Sequence, residues 1–379
     1  MMSVSTIAST VYNYYLSQTQ TGVRYYFRLN LGLGITIVVF IIMAISCISE
    51  FFITMADPMF FTVLMGMVLV SAMATCLAQN GTMAIVNVLG GIYANAVMVG
   101  QAVAGVLPAM ALIISILVVG DKPLDQKDQV EKDYGTFVYY ITASLISIAS
   151  VLLLVTTHRL KEQATYLSLT ELVDDDFTNC PTEHDLQEVE PAQSTHVPFG
   201  LLWEKLKLIV LSIFLIFSIT LIFPVFASVI QSNNEVSGKW YFQKNVYIPF
   251  IYLIWNLGDL MGRVLCGIPR CKMLISDPRR LIMYSVARLA FIPLFLTCNL
   301  HPQAGESSAW IKSDLWYIAL QFVFGLTNGQ LCTSCFMIVR DYCDTDEEKE
   351  AAGGFTTVFL SVGLAVGAVL SYLLVWFIS

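Results

Sequence analysis

Charge is what this chain of 379 residues has least of: 13% of its residues are Asp, Glu, Lys or Arg, against about 25% in an average soluble protein. Histidine is nearly as scarce, and His158, His184, His196 and His301 all fall outside the apolar runs. That placement excludes an intramembrane His-ligated metal or His general base and weakens any enzyme reading. No Gly-rich loop followed by Lys and Ser/Thr occurs, so no ATP-driven pump is encoded here. The nine cysteines are scattered mostly through apolar runs and form no disulfide framework. Cys332 and Cys335 have redox or zinc spacing but no second ligand pair, and packing is the better reading. The start of the chain lacks a basic region and a small-residue cleavage site, so it is no signal peptide. No cofactor, no metal and no nucleic-acid partner is expected; the net charge of −8 carries meaning only once the charges are located.

What fills the sequence instead is apolar: 56% of residues, with a mean hydropathy of +0.70. A soluble fold, much of whose surface must meet water, could not use so much. The 63 residues between Asp57 and Asp121 carry no charge at all. A bilayer core takes about 20 apolar residues per helix, so this stretch fits two spans with a polar turn near Asn87–Asn95. Only helices satisfy their backbone within single segments of this kind. The expected spans are 31–49, 59–86, 95–119, 135–157, 208–230, 246–268, 281–300, 315–339 and 352–378. The chain thus reads as an all-α polytopic membrane protein with nine full spans. Met1–Leu16 adds the apolar tail of a tenth, too short to cross alone.

Lysine and arginine set the orientation. The connections at 17–30, 87–94, 158–207, 269–280 and 340–351 hold 12 of them, and the opposite set holds 6. The first set should be cytosolic, which turns the C-terminus toward the lumen or exterior. The hydrophilic segment 158–207, rich in Asp and Glu with Pro and Ser interspersed, reads as an acidic disordered cytosolic linker. It divides the chain into an N-terminal bundle, 1–157, and a C-terminal five-helix bundle, 208–379. Two helical halves joined in this way are an architecture of rocker-switch transporters.

Within the spans, Asp259 and Arg263 stand four residues apart on one helix face, with Asn256 on the same stripe. Intramembrane charge is costly and points to function by default. An acceptor, a fork of donors and an amide suit a polar, hydroxylated solute. The competing reading is a self-neutralised pair that locks helix packing. Gln79, Asn80 and Gln101 are polar residues of the long uncharged stretch, where amides either bind or join helices. Arg288 reads as structural. Gly258/Gly262, Gly325/Gly329 and Gly363/Gly367 fit the small-xxx-small pattern of close helix approach. Pro108, Pro224 and Pro293 should kink their spans.

The motifs together resemble the equilibrative nucleoside transporter family. The matching strings are Gln79-Asn80-Gly81, "MVGQAVAG" at 98–105, "FPVFAS" at 223–228, "WNLGDLMGR" at 255–263, "ARLAFIPLF" at 287–295, "FGLTNG" at 324–329 and "EKEAAGGF" followed by "GLAVGAVLSY". They run in family order across essentially the whole chain, and their wording is most similar to the fungal vacuolar branch. The resemblance implies a major-facilitator-like two-bundle fold of eleven helices and facilitative transport of purine and pyrimidine nucleosides, sometimes nucleobases, by alternating access. By matching position it implies that Gln79 hydrogen-bonds the base. Asp259 and Arg263 then engage the ribose with Asn256 beside them, and Leu364 supplies an apolar contact. Arg28 and Glu350 match a cytosolic gate pair. A vacuolar or other intracellular membrane is expected, and Asp259 taking up a proton is a further role left open. The family's first helix, with its Pro-Trp-Asn signature, has no match, since no Trp precedes Trp203; the expectation is a member lacking that helix and part of the second. The readings that compete are a major-facilitator carrier of another polar solute such as a sugar, and a truncated membrane scaffold that does not transport.

Overall fold

The computed structural model describes residues 2–20, 22–119, 134–176, 196–234, 242–300 and 309–378. The apolar runs are helices, and no strand occurs among the described residues. In chain order the helices are α1 (Met2–Gln18), α2 (Tyr25–Ile48), α3 (Glu50–Ile53), α4 (Asp57–Leu89), α5 (Gly91–Val119), α6 (Tyr134–Asp176) and α7 (Phe199–Thr220). They continue with α8 (Ile222–Val229), α9 (Lys244–Gly267), α10 (Pro278–Ala287), α11 (Phe291–Phe295), α12 (Asp314–Ile338) and α13 (Asp346–Ile378).

Among the described residues, seven helical stretches are long and apolar enough to cross a membrane: Tyr25–Ile48, Asp57–Leu89, Gly91–Met110, Thr136–Thr157, Phe199–Val229, Asp314–Tyr342 and Asp346–Trp376. The chain is a multi-pass membrane protein on that basis. Two of the nine expected spans fall short of this measure for different reasons. The span expected at 246–268 is α9, long enough at 24 residues but carrying Asn256, Asp259 and Arg263. The span expected at 281–300 is broken into the short α10 and α11 by a 3-10 turn at Arg288–Ala290. Pro293 explains the break: it has no N–H to give to the carbonyl of Leu289, four residues back. Pro224 acts alike at the α7–α8 break, where the unserved carbonyl is that of Thr220, the last residue of α7. Pro108 sits inside a continuous α5.

Two connections need separate description. The turn expected near Asn87–Asn95 is a single residue, Gly90, at φ 145°, a conformation open to glycine. Helix therefore continues almost to the turn from both sides, and Arg340 donates to the carbonyl of Val88 at 3.4 Å, a cation at the C-terminal end of α4. The acidic segment 158–207 is described only in part. Helix α6 continues to Asp176 and α7 begins at Phe199. The residues from 158 to 176 include no Gly or Pro and are rich in Leu, Glu and other good helix formers, so an existing helix extends through them. Residues 177–195 lie outside the described residues.

Packing divides the chain into two units, one of residues 1–18, 80–129 and 197–379 and the other of 19–79 and 130–196. In the second, α2 packs on α6, with the rings of Phe40 and Tyr140 at 6.1 Å, and Gly32 lies against the backbone of Ala74 and Ala78 on α4. Its exposed faces, with Val38, Ile41 and Ile45 on α2 and Leu145, Leu152 and Leu153 on α6, are apolar as hydrocarbon requires.

In the first unit, α9 packs most closely on α12, α7 on α13, α5 on α9 and α1 on α13. One apolar core gathers Leu206, Ile209 and Ile213 of α7 with Phe336 and Phe355, and another gathers Phe226, Ile251, Phe295 and Phe324. Helix α12 is the most buried of the seven spanning stretches, which lets it carry Gln321, Thr327, Asn328 and Thr333 inside protein rather than lipid.

All three glycine pairs sit at helix contacts. Gly258 and Gly262 of α9 meet the backbone of Phe322 and Leu326, while Gly325 and Gly329 of α12 meet the backbone of Trp255 and Asp259. Gly363 and Gly367 of α13 lie on Phe214 and Ser218 of α7. A Cβ at Gly329 would run into the Asp259 carbonyl, and backbone cannot give way as a flexible side chain can. Gly329→Ala should therefore destabilise the purified protein by ~1–3 kcal/mol through overpacking. Gly100→Ala on α5, where an added Cβ meets nothing within 4 Å, should instead be neutral or stabilising by up to ~1 kcal/mol. Thermal unfolding of the two variants side by side checks the contrast.

Candidate functional site

Helix geometry places Asp259 and Arg263 one turn apart on the face of α9 that turns toward α5 and α12. Both are nearly sealed from solvent, at 3% and 8% exposure. Arg263 Nε donates to Asp259 Oδ2 at 2.9 Å. A buried carboxylate with its cation on the same helix is neutralised locally, but each partner still needs its remaining hydrogen bonds satisfied.

Helix α5 supplies part of that need. Arg263 Nη1 donates to the carbonyl of Met98 at 2.9 Å and to Gln101 Oε1 at 3.4 Å. In return Asn95 Nδ2 donates to the carbonyl of Arg263 at 2.9 Å. Asn95 also fills the space beside Gly267, where a Cβ would strike its side chain. The guanidinium is therefore held at its Nε and Nη1 edges, and the bonds named leave Nη2 out.

Helix α12 supplies the rest. Asn328 Nδ2 donates to Asp259 Oδ1 at 2.7 Å, the short length expected of a charge-assisted bond. Asn328 is 2% exposed. Its short side chain reaches α9 because Gly325 and Gly329, on either side of it, let the two backbones touch. Behind it, Thr220 Oγ1 at the end of α7 donates to Asn328 Oδ1 at 2.6 Å.

The expected site residues divide by position. Asp259, Arg263 and Gln101 come together as described. Asn256 lies half-buried one turn before Asp259, but its Nδ2 turns back to the carbonyl of Tyr252 at 2.7 Å and its Oδ1 faces Gly105 of α5. Leu364 is half-buried on α13 and packs against the α7–α12–α13 core. Asn80 is buried on α4, with its amide nitrogen against Gly354 of α13. Gln79, half-buried, ends the 19–79 segment of the other unit. Arg28 also belongs to that unit; there its Nη2 donates to the carbonyl and hydroxyl of Thr19 and its guanidinium lies 5.7 Å from the Tyr25 ring. Glu350 is half-buried near the start of α13, two residues beyond Glu348, which with Asp344 takes both ion pairs of Lys205, at 2.7 and 2.6 Å. The neighbouring ammonium holds the exposed Asp344 carboxyl below its ordinary range. Cys332 and Cys335 are buried free thiols, and no group of three metal-ligating side chains occurs among the described residues.

Sequence reasoning missed Asn328, Thr220 and Asn95. The signal for Asn328 was available: it is an amide in an uncharged run, flanked by two glycines that invite a close neighbour. Thr220 carried no such mark.

The arrangement leaves acceptor capacity on Asp259 and donor capacity on Arg263 within a few ångströms of each other. That suits a neutral ligand bearing vicinal hydroxyls. It also yields a test of the fork. Arg263→Lys keeps a charge near Asp259 but gives up the simultaneous reach to Met98, and should destabilise the protein by ~1–2 kcal/mol. Arg263→Met leaves the carboxylate buried without its cation and should cost about 3–5 kcal/mol. Chemical unfolding followed by tryptophan fluorescence orders the two variants.

Comparison with known proteins gives a consistent set of matches. The sequence model of the family described as Nucleoside transporter matches residues 65–376. The chain is similar to the nucleoside transporter FUN26 of Saccharomyces cerevisiae, at 37% identity over 414 residues, covering 100% of this chain and 76% of the yeast protein. It is 28% identical over 315 residues to equilibrative nucleoside transporter 1 of Mus musculus, covering 78% of this chain and 65% of that protein. With equilibrative nucleoside transporter 1 of Homo sapiens it shares 26% identity over 335 residues, covering 84% of this chain and 69% of the human protein.

Proposed function

We infer the function from one premise: this chain belongs to the nucleoside transporter family. It carries nucleosides across a membrane by facilitative transport, and it is a carrier rather than an enzyme. The observation that supports this most directly is the buried Asp259–Arg263 pair with its unfilled valences. Purine and pyrimidine nucleosides share a ribose whose two hydroxyls can donate to a carboxylate and accept from a guanidinium. In this reading they replace their water hydrogen bonds with Asp259 and Arg263, and the base carries little of the discrimination.

The finer proposal follows the residues. Gln79 hydrogen-bonds the base, Leu364 gives an apolar contact, and Asn256 lies beside the ribose once its amide leaves the Tyr252 carbonyl. Arg28 and Glu350 form a gate on the cytosolic side. The fold is major-facilitator-like, with a bundle at 1–157 and a five-helix bundle at 208–379. In this proposal α9 and the broken α10–α11 run also cross the bilayer, bringing the full spans to nine. The loop 158–207 faces the cytosol, the C-terminus faces the lumen or exterior, and an intracellular membrane of vacuolar type is the setting. Alternating closure of either side exposes the site to one compartment at a time. Uptake or release of a proton at Asp259 is a separate proposal, which pH-dependent counterflow would test.

Asp259→Asn and Arg263→Ala should each lower uridine uptake into vesicles more than tenfold, with the protein still folded and inserted. Counterflow of radiolabelled uridine against an internal unlabelled pool is the diagnostic assay. Normal uptake and affinity in Asp259→Asn would remove the ribose-contact role.

A further inference from the structure

Directionality in hydrogen bonding turns the contacts around Asp259 into a chain with one allowed sense. A carboxylate only accepts, so the Asn328 group at 2.7 Å from Asp259 Oδ1 must be the NH₂. The amide oxygen then faces Thr220 Oγ1 at 2.6 Å and can only accept, so the single Thr220 proton is required there. Thr220 Oγ1 also lies 2.6 Å from the carbonyl of Ile216, the usual acceptor for a helical threonine. One proton cannot fully serve both oxygens.

Arg288 resolves the competition. It is 1% exposed, and its Nη1 approaches the carbonyl of Ile216 while its Nη2 approaches that of Phe324, both at 3.4 Å. Ile216 lies four residues before Thr220, and Phe324 four before Asn328. The guanidinium thus bridges α7 and α12 one helical turn from the Thr220–Asn328 bond, with its carbon 4.6 Å from the centre of the Phe324 ring. The 3-10 turn at Arg288–Ala290 delivers it there. With the Ile216 carbonyl supplied by Arg288, the Thr220 proton is released to Asn328.

We propose that Thr220 and Asn328, braced by Arg288, are positioning residues that hold the Asp259 carboxylate in the rotamer that reads the ribose hydroxyls. Neither touches substrate in this scheme; they act through Asp259. The inference rests on the ribose-contact reading above. It makes a specificity claim that a purely structural role would not: disturbing Thr220 alters recognition of the hydroxyls and leaves recognition of the base alone.

The test compares uridine with 2′,3′-dideoxyuridine, which lacks both hydroxyls, in vesicles containing the full chain. Thr220→Val is nearly isosteric and removes the hydroxyl, and with it the proton given to Asn328. It should raise the KM for uridine about three- to tenfold, the range one hydrogen bond commands, with the KM for the dideoxynucleoside within about twofold of the wild-type value. Thr220→Ser keeps the hydroxyl and should restore the wild-type ratio of the two KM values. Asn328→Ala should shift the ratio in the same direction as Thr220→Val. An unchanged ratio in Thr220→Val, or an equal rise for both nucleosides, overturns the proposal. Asp259→Asn separates the two levels of inference: if it collapses the ratio while Thr220→Val does not, only the positioning role falls. If it too leaves the ratio intact, the ribose-contact reading falls as well.

Discussion

A carboxylate that has been taken out of water must be answered by its surroundings, and Asp259 sets that requirement for the core of this protein. Left uncompensated, such a charge costs several kcal/mol. Arg263 one turn away answers the charge. The hydrogen-bonding valences need further partners, and these come from α5 through Met98 and Gln101 and from α12 through Asn328. Three helices are therefore fixed around one side chain. A membrane interior gives helices no hydrophobic reason to choose one neighbour over another, since lipid is as apolar as leucine. The polar contacts around Asp259 supply that choice.

Those contacts depend on backbone geometry. An asparagine side chain is short, and Asn328 reaches Asp259 because α9 and α12 lie in direct backbone contact at Gly258, Gly262, Gly325 and Gly329. The glycines and the ion pair support one another. Close packing brings the amide into range, and the amide's bond to the carboxylate rewards the close packing. The same logic explains why α12 tolerates so many polar residues: buried on nearly all sides, it meets protein atoms where lipid-facing α2 and α6 meet hydrocarbon.

The legible and illegible parts of this design differ for physical reasons. Asp259 and Arg263 stand out in sequence because charge is rare in a span and a four-residue spacing fixes a shared face. The glycine pairs could be read for the same reason of local periodicity. Thr220 and Asn328 are 108 positions apart and neutral, and no local pattern marks two such residues as partners. The acidity of 158–176 carries no helix signal of its own, whereas a helix already nucleated in the preceding span extends readily into residues of good helix propensity, as α6 does to Asp176. The kink expected from Pro293 appears one turn before it, at Arg288–Ala290, because the carbonyl that Pro293 cannot serve lies there.

The pairing seen around Asp259 also bears on the ribose contact proposed for it. Asp259 spends one acceptor position on Arg263 and one on Asn328, out of about four that a carboxylate offers, and the bonds to Arg263 leave its Nη2 edge out. A ligand bearing hydroxyls can add to these spare positions without breaking an existing bond, so little reorganisation opposes binding. Both charged groups ride on one helix and keep their mutual geometry in any rigid-body motion of it. In the proposed carrier, the valences these two groups offer a ligand stay the same on either side of such a motion. In facilitative transport nothing else is coupled to the motion, so net movement follows the concentration gradient whatever the two affinities are. Unchanged valences on α9 serve instead to let the ligand bind from either compartment.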